Sequence, residues 1–400
     1  PARRPGFIAN ITPMPRPILA TVHLCALRHN LERLQRAAPD SRLWAVVKAN
    51  AYGHGLERVF PALRAADGFA LLDLAEAERL RALDWRGPIL LLEGCFEARD
   101  LELCSRLNLW HVVHCEEQID WLAAHKTHQP HRVFLKMNSG MNRLGFRPAA
   151  LRSAWARLNA LPQVDEISLV THFSDADSAR FGADGIAHQL EAFAAATSDL
   201  PGERSLCNSA ATLRHAAREV GSGALSADWV RGGIALYGSA PDHPEHRSAD
   251  WQLQPAMTLA SRLIAVQQVE AGESVGYGST FIAPATMRIG IVACGYADGY
   301  PRHAGSGTPV LVRGVRSQLV GRISMDMLAV DLGPAEADAP PCQIGDEVVL
   351  WGRSRHGALL PVDEVAQAAG TIAYELLCAV AARVPFALDE SEPATVAAAA

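Results

Sequence analysis

Lysine is close to absent from this 400-residue chain, which carries only Lys48, Lys126 and Lys136. Two of the three close apolar, strand-like runs: Lys48 follows Leu43–Val47, and Lys136 follows Val133-Phe-Leu. An unpaired ammonium is costly at the edge of a core, so a lysine there needs a reason. Desolvation lowers a lysine's pKa and makes it an amine nucleophile able to form a Schiff base, which singles out Lys48. No C-x-x-C pair occurs among the eight dispersed cysteines (25, 95, 104, 115, 207, 294, 342 and 378). That spacing speaks against a zinc site or a disulfide framework and for buried free thiols in a reducing cytoplasm. A basic excess is also missing: the net charge is −6, which argues against nucleic acid and anionic membranes as partners. Finally, no apolar stretch reaches the roughly 18 residues a spanning helix needs.

What is present is a large apolar fraction, 49% of residues, enough for a sizeable core in two domains. Residues 1–13 carry Arg3 and Arg4 but no apolar centre, and we expect a leader or expression remnant there. From residue 43 to about 238 eight short apolar runs recur: Leu43–Val47, Phe69–Leu72, Ile89–Leu92, Leu109–Val113, Arg132–Leu135, Ile167–Thr171, Ser205–Cys207 and Trp229–Leu236. Ala/Leu/Arg/Glu-rich segments with helical spacing, such as Leu74–Leu83 and Ala149–Leu161, separate them. Eight such repeats predict a TIM-like (β/α)8 barrel within residues 14–251. After that, Val- and Ile-rich strands alternate with Gly, Pro and Asp turns, which predicts a mainly β domain over 252–386. The segment 15–23 alternates like a strand and could pair with this second domain. The low-complexity tail, 387–400, is expected to be disordered.

Polar residues fall where a barrel places its chemistry. Lys48, Glu93, His114, Lys136, His172, Asn208-Ser209 and Arg231 each sit at or just past the end of a different run. The C-terminal ends of barrel strands carry active sites. A glycine at 233 would let backbone approach a phosphate with no Cβ in the way.

The string Val46-Val-Lys48-Ala-Asn-Ala-Tyr52-Gly-His-Gly makes a family resemblance specific. Further motifs follow in order: Ser139-Gly-Met-Asn-Arg143-Leu-Gly, Thr171-His172-Phe, Asn208-Ser209-Ala, Arg231-Gly-Gly-Ile234-Ala-Leu-Tyr-Gly, Gly276-Tyr277-Gly, Gly295-Tyr296-Ala-Asp-Gly-Tyr, Gly321-Arg322-Ile-Ser-Met325-Asp-Met and Thr371-Ile-Ala-Tyr374-Glu. From Met14 to about Phe386 the chain resembles the alanine racemases, enzymes that use pyridoxal 5'-phosphate (PLP).

The resemblance implies a homodimer with shared active sites that racemises L- and D-alanine, to supply peptidoglycan precursors or for catabolism. Lys48 would hold PLP and act as a base on one face of Cα. Tyr277 from the partner subunit would serve the other face, since one face alone returns the starting enantiomer. Arg231 would contact the pyridine nitrogen, and His172 would link Arg231 to Tyr277. Tyr52, Ser209, Gly233, Ile234 and Tyr374 would hold the phosphate. Arg143 and the backbone N–H of the partner's Met325 would bind the substrate carboxylate. Lys136, carbamylated in much of the family, would pair with Arg143. Tyr296 and Tyr374 would form a narrow gate, with Arg302 and Arg322 further out.

Other readings remain: a broader-specificity racemase of the same fold, a related PLP decarboxylase, or a non-catalytic PLP carrier. Decarboxylases of this plan set an acid against the pyridine nitrogen, where this chain offers Arg231. Carriers lack the second domain. The segment Arg218–Leu225 is longer than the family pattern and is expected to extend a surface loop or helix.

Overall fold

The computed structural model describes residues 16–391 apart from 127–128, 182–183, 221–222 and 334–340, so the expected leader and most of the tail lie outside it. Strand β1 (Leu19–His23) leads into a helix, Leu24–Ala37, whose Leu24, Leu27, Leu31 and Leu34 recur at helical spacing and are all buried.

Seven strands then alternate with helices: β2 (Arg42–Val46), β3 (Gly68–Leu71), β4 (Ile89–Leu91), β5 (Trp110–Val113), β6 (His131–Lys136), β7 (Val164–Val170) and β8 (Arg204–Ser205). A small hairpin, β9 (Glu219–Val220) and β10 (Gly223–Ala224), precedes β11 (Trp229–Gly232). In the segment expected to extend a loop or helix, residues 219–220 and 223–224 pair as strands, and residues 221–222 lie outside the described residues. The order β11-β2-β3-β4-β5-β6-β7-β8 is parallel throughout. The end strands meet through Arg231 N donating to Cys207 O at 2.9 Å, which curls the sheet into the expected (β/α)8-type barrel. Strands β3, β4 and β5 are buried at every position, as parallel strands covered on both faces must be.

Side chains fill the barrel rather than leaving a pore. Trp44 of β2 stacks on Trp229 of β11 at 4.0 Å and meets Trp110 of β5 edge-on at 5.5 Å. Strands β2 and β5 are not neighbours, so these rings touch across the lumen. The last apolar run was expected to continue to Leu236 as strand. Instead β11 stops at Gly232, and the chain turns at Gly233 into a 3-10 helix, Ile234–Tyr237. At that turn Gly233 N and Ala235 N both donate to Ser209 Oγ, at 2.8 and 3.4 Å.

A 13-residue strand, β12 (Met257–Val269), organises the second, mainly β region. It pairs antiparallel with Met287–Val292 and with Glu347–Arg353, shifting register along each pairing. It also pairs antiparallel with β1, with Thr21 opposite Thr258. Phe386–Asp389 then pairs parallel to β1, with Thr21 opposite Ala387. Residues 387–389, expected in a disordered tail, are thus strand: the free edge of β1 carries unpaired peptide groups that this segment satisfies. Two short helices, Val362–Ala368 and Ala373–Cys378, close back over the barrel mouth.

Candidate active site

A cavity of ≈ 500 Å³ opens at the C-terminal ends of the barrel strands. Lys48, Tyr52, Lys136, Arg143, His172, Ser209, Arg231, Gly233, Ile234 and Tyr374 all line it. Tyr277, Tyr296 and Met325 do not; they lie exposed on the β region, Tyr277 at 68%.

Lys48 and Tyr52 share one turn, and that turn is left-handed. Ala49, Asn50, Ala51 and Tyr52 have φ of 55, 52, 57 and 49°. Each non-glycine residue there costs roughly 1–2 kcal/mol, so neighbours must hold it. Glu76 Oε1 accepts from Asn50 N at 2.6 Å, and Asn50 Oδ1 accepts from Leu56 N at 3.1 Å and from Arg79 Nη2 at 2.9 Å. Tyr52 stacks on Tyr237 at 4.7 Å, and the Tyr237 hydroxyl donates to Val46 O at 3.0 Å. Tyr374 leans on Tyr52 from the helix above, ring to ring at 6.1 Å.

Arg231 is buried, and its guanidinium is fixed from several sides. Nη1 donates to Ser205 O at 2.7 Å and to Ser205 Oγ at 2.8 Å; Nη2 donates to Thr171 O at 2.9 Å and Leu206 O at 3.0 Å. Burial lowers its pKa only to about 10, so it stays charged near neutrality. His172 Nδ1 lies 3.4 Å from Arg231 Nη2, which can only donate. Accepting at Nδ1 leaves the His172 proton on Nε2. Burial first, then Arg231, pushes the imidazole pKa well down, so His172 is neutral.

One end of the cavity is lined from β11 and from the helix Ser209–His215. Ser209 Oγ accepts from Gly233 N at 2.8 Å, which leaves the hydroxyl hydrogen available to donate. A Cβ at Gly233 would fall 2.8 Å from the Tyr52 hydroxyl and 3.6 Å from Ser209 Oγ, filling the cradle.

Four cations, Lys48, Lys136, Arg143 and Arg231, face this space with the carboxylates of Glu93 and Asp177. Burial and then Arg143 lower the Lys48 pKa. Burial, then Arg231 and Arg143, bring Lys136 down to about 8. Such a site demands anions, and it can hold a phosphate at one end and a carboxylate beside Arg143. Sequence reasoning missed Asp177 and Cys378. Cys378 lies four residues beyond Tyr374 on one helix, a spacing that would have put both on the same face. Asp177 lies in an irregular loop that no periodicity marks.

Comparisons with known proteins come down on one side. The family described as "Alanine racemase, N-terminal domain" matches residues 22–241, and "Alanine racemase, C-terminal domain" matches 256–388. An alanine racemase of Acidovorax sp. (strain JS42) is 71% identical over 377 residues, covering 94% of this chain and 100% of its own. One of Polaromonas naphthalenivorans (strain CJ2) is 70% identical over 379 residues, covering 94% and 100%. Among solved structures, the biosynthetic alanine racemase of Pseudomonas aeruginosa superposes with a TM-score of 0.85 at 50% identity, covering 94% of this chain and 100% of that one. The alanine racemase of E. faecalis gives 0.81 at 32% identity, covering 94% and 98%.

Proposed function

The chain belongs to the alanine racemase family, it interconverts L- and D-alanine with pyridoxal 5'-phosphate, and we propose that two subunits together furnish the residues for each reaction centre. When bound, PLP withdraws electrons from the substrate and makes its Cα–H bond acidic. The residues around the cavity fit the group. Gly233, Ser209 and Tyr52 form a cradle that a single Cβ would obstruct. Lys48 supplies an amine whose pKa burial has lowered. Arg231 offers a fixed cation with no carboxylate among its hydrogen-bond partners, so a ring nitrogen beside it stays unprotonated.

In this reading Lys48 anchors the cofactor and moves a proton on one face of Cα. Tyr277 of the partner moves it on the other. His172, neutral and protonated at Nε2, donates to the Tyr277 oxygen and so favours its phenolate. Arg143 and the partner's Met325 N–H orient the carboxylate. Tyr374 and the partner's Tyr296 narrow the entrance so that a methyl side chain passes more readily than larger ones. Lys136, with its pKa near 8, is neutral in roughly a tenth of molecules at pH 7, which suits carbamylation beside Arg143.

One observation carries the shared site: the cavity holds the lysine while Tyr277 stands 68% exposed outside it. Among the described residues no helix is long and apolar enough to cross a membrane, and the eight cysteines are free, which fits a cytoplasmic enzyme. Mixing inactive Lys48→Ala and Tyr277→Phe chains should regenerate about one intact centre per heterodimer. Absence of regained activity after verified subunit exchange would refute sharing.

A further inference from the structure

The loops that bear Tyr296 and Met325 hold no more than one 3-10 turn, Tyr296–Asp298, and the two side chains are exposed, so packing within their own chain does little to hold them. Charge does. Asp298 is fully buried two residues beyond Tyr296, and Asp326 follows Met325. Asp298 accepts from Arg16 Nη2 at 2.9 Å and from Arg383 Nε at 2.7 Å. Its Oδ2 also takes the Gly295 N–H at 2.9 Å. Arg383 Nη2 continues to Asp326 Oδ1 at 2.7 Å. Arg16 closes the ring, with Nη1 at 3.5 Å from the same carboxylate oxygen and Nη2 donating to Asp326 O at 3.0 Å. Two arginines from distant parts of the chain, one ahead of β1 and one past the last helix, thus bridge both loops.

The backbone completes the arrangement. Tyr296 N donates to Ser324 O at 3.1 Å and Ala297 N to Met325 O at 3.0 Å. A Cβ at Gly295 would fall 2.4 Å from the Met325 carbonyl, so the loops touch with no room for a side chain. A buried carboxylate is costly to desolvate, and pairing it with two arginines is weak evidence for stability; fixing register is the better-attested use of such a group.

We propose that Asp298, Asp326, Arg16 and Arg383 are positioning residues, a clamp that sets Met325 and Tyr296 at the spacing in which they meet substrate in the partner's cavity. The proposal rests on the shared-site reading above. Its consequence is directional: breaking the clamp in one subunit harms the centre that the other subunit's lysine serves.

The test uses the mixed dimer of Lys48→Ala and Tyr277→Phe chains, in which the Lys48→Ala chain lends Met325 to the one intact centre. With Arg383→Met added to that lending chain, KM for alanine should rise roughly 10- to 100-fold while kcat changes far less. Added instead to the Tyr277→Phe chain, the same substitution should leave KM at the parental value. Arg383→Lys in the lending chain keeps a charge for one carboxylate and should give an intermediate KM. Equal effects from both placements, or no KM change from either, would overturn the clamp. A parental mixture with no activity would instead bring down the shared site, and the clamp with it.

Discussion

At the scale of single residues, the site depends on where burial leaves charge. Lys136 feels the charges of both Arg231 and Arg143, and with its pKa brought to about 8 the proposed carbamylation, in which the neutral amine adds carbon dioxide and releases a proton, would turn repulsion of Arg143 into attraction. Intact-protein mass in bicarbonate buffer should show one carbon dioxide added. Native mass spectrometry of Lys136→Ala should lack the addition; an unmodified native mass of the parent at neutral pH would point to a bound anion instead. Which side chains gather at the cavity was largely legible in the sequence. Lys48, Lys136 and His172 each end an apolar run, and ending a run is a position that periodicity reveals; Arg231 lies inside the eighth run as read, and its motif marked it instead. The conformation of Ala49–Tyr52 was not legible. Alanine and tyrosine have no preference for left-handed backbone, and the bracing comes from Glu76 and Arg79, more than twenty residues away.

At the scale of elements, β5 and β6 carry a buried histidine pair on the side of the strands away from the tryptophans. His111 Nε2 lies 3.2 Å from His131 Nδ1, and His131 Nε2 lies 3.2 Å from Ser105 Oγ. Burial, helped in His111 by His131 and in His131 by His125, lowers their pKa values to about 3 and about 4; burial, with a smaller push from His23, lowers that of His54 to about 4. These side chains are neutral when folded, whereas unfolded histidine titrates near 6.5. Acid therefore favours the unfolded chain: their contribution is complete above about pH 6.5 and drains away as pH falls toward the folded values. Between pH 7 and 5 the loss should be on the order of 1–2 kcal/mol per fully buried histidine. A melting temperature that falls over this interval, and falls less in His54→Asn, is the expected result; an unchanged slope in the variant would contradict it. The elements themselves were largely readable, since eight apolar runs became eight barrel strands. Two boundaries slipped for reasons that a local window cannot see. The eighth run turns at Gly233 where it meets the cavity, and Phe386–Asp389 is strand only because β1 offers an edge.

At the scale of the whole molecule, the chain sets its lysine and its tyrosine in different places. Tyr277, Met325, Met327 and Ile282 are exposed apolar side chains of the β region, a surface suited to burial against a second copy. Specific activity should therefore fall on dilution in step with the dimer fraction measured by sedimentation. Activity that persists in a verified monomer would exclude a centre made by two chains. The sheet order carries a separate consequence. Strand β1 lies between β12 and Phe386–Asp389, so the ribbon that leads into the barrel is also the seam that stitches the chain's last strand to its sheet. Severing the polypeptide near residue 252 would not release two self-sufficient halves. One fragment would keep a ribbon with nothing to lie against, and the other would be left with a gap one strand wide.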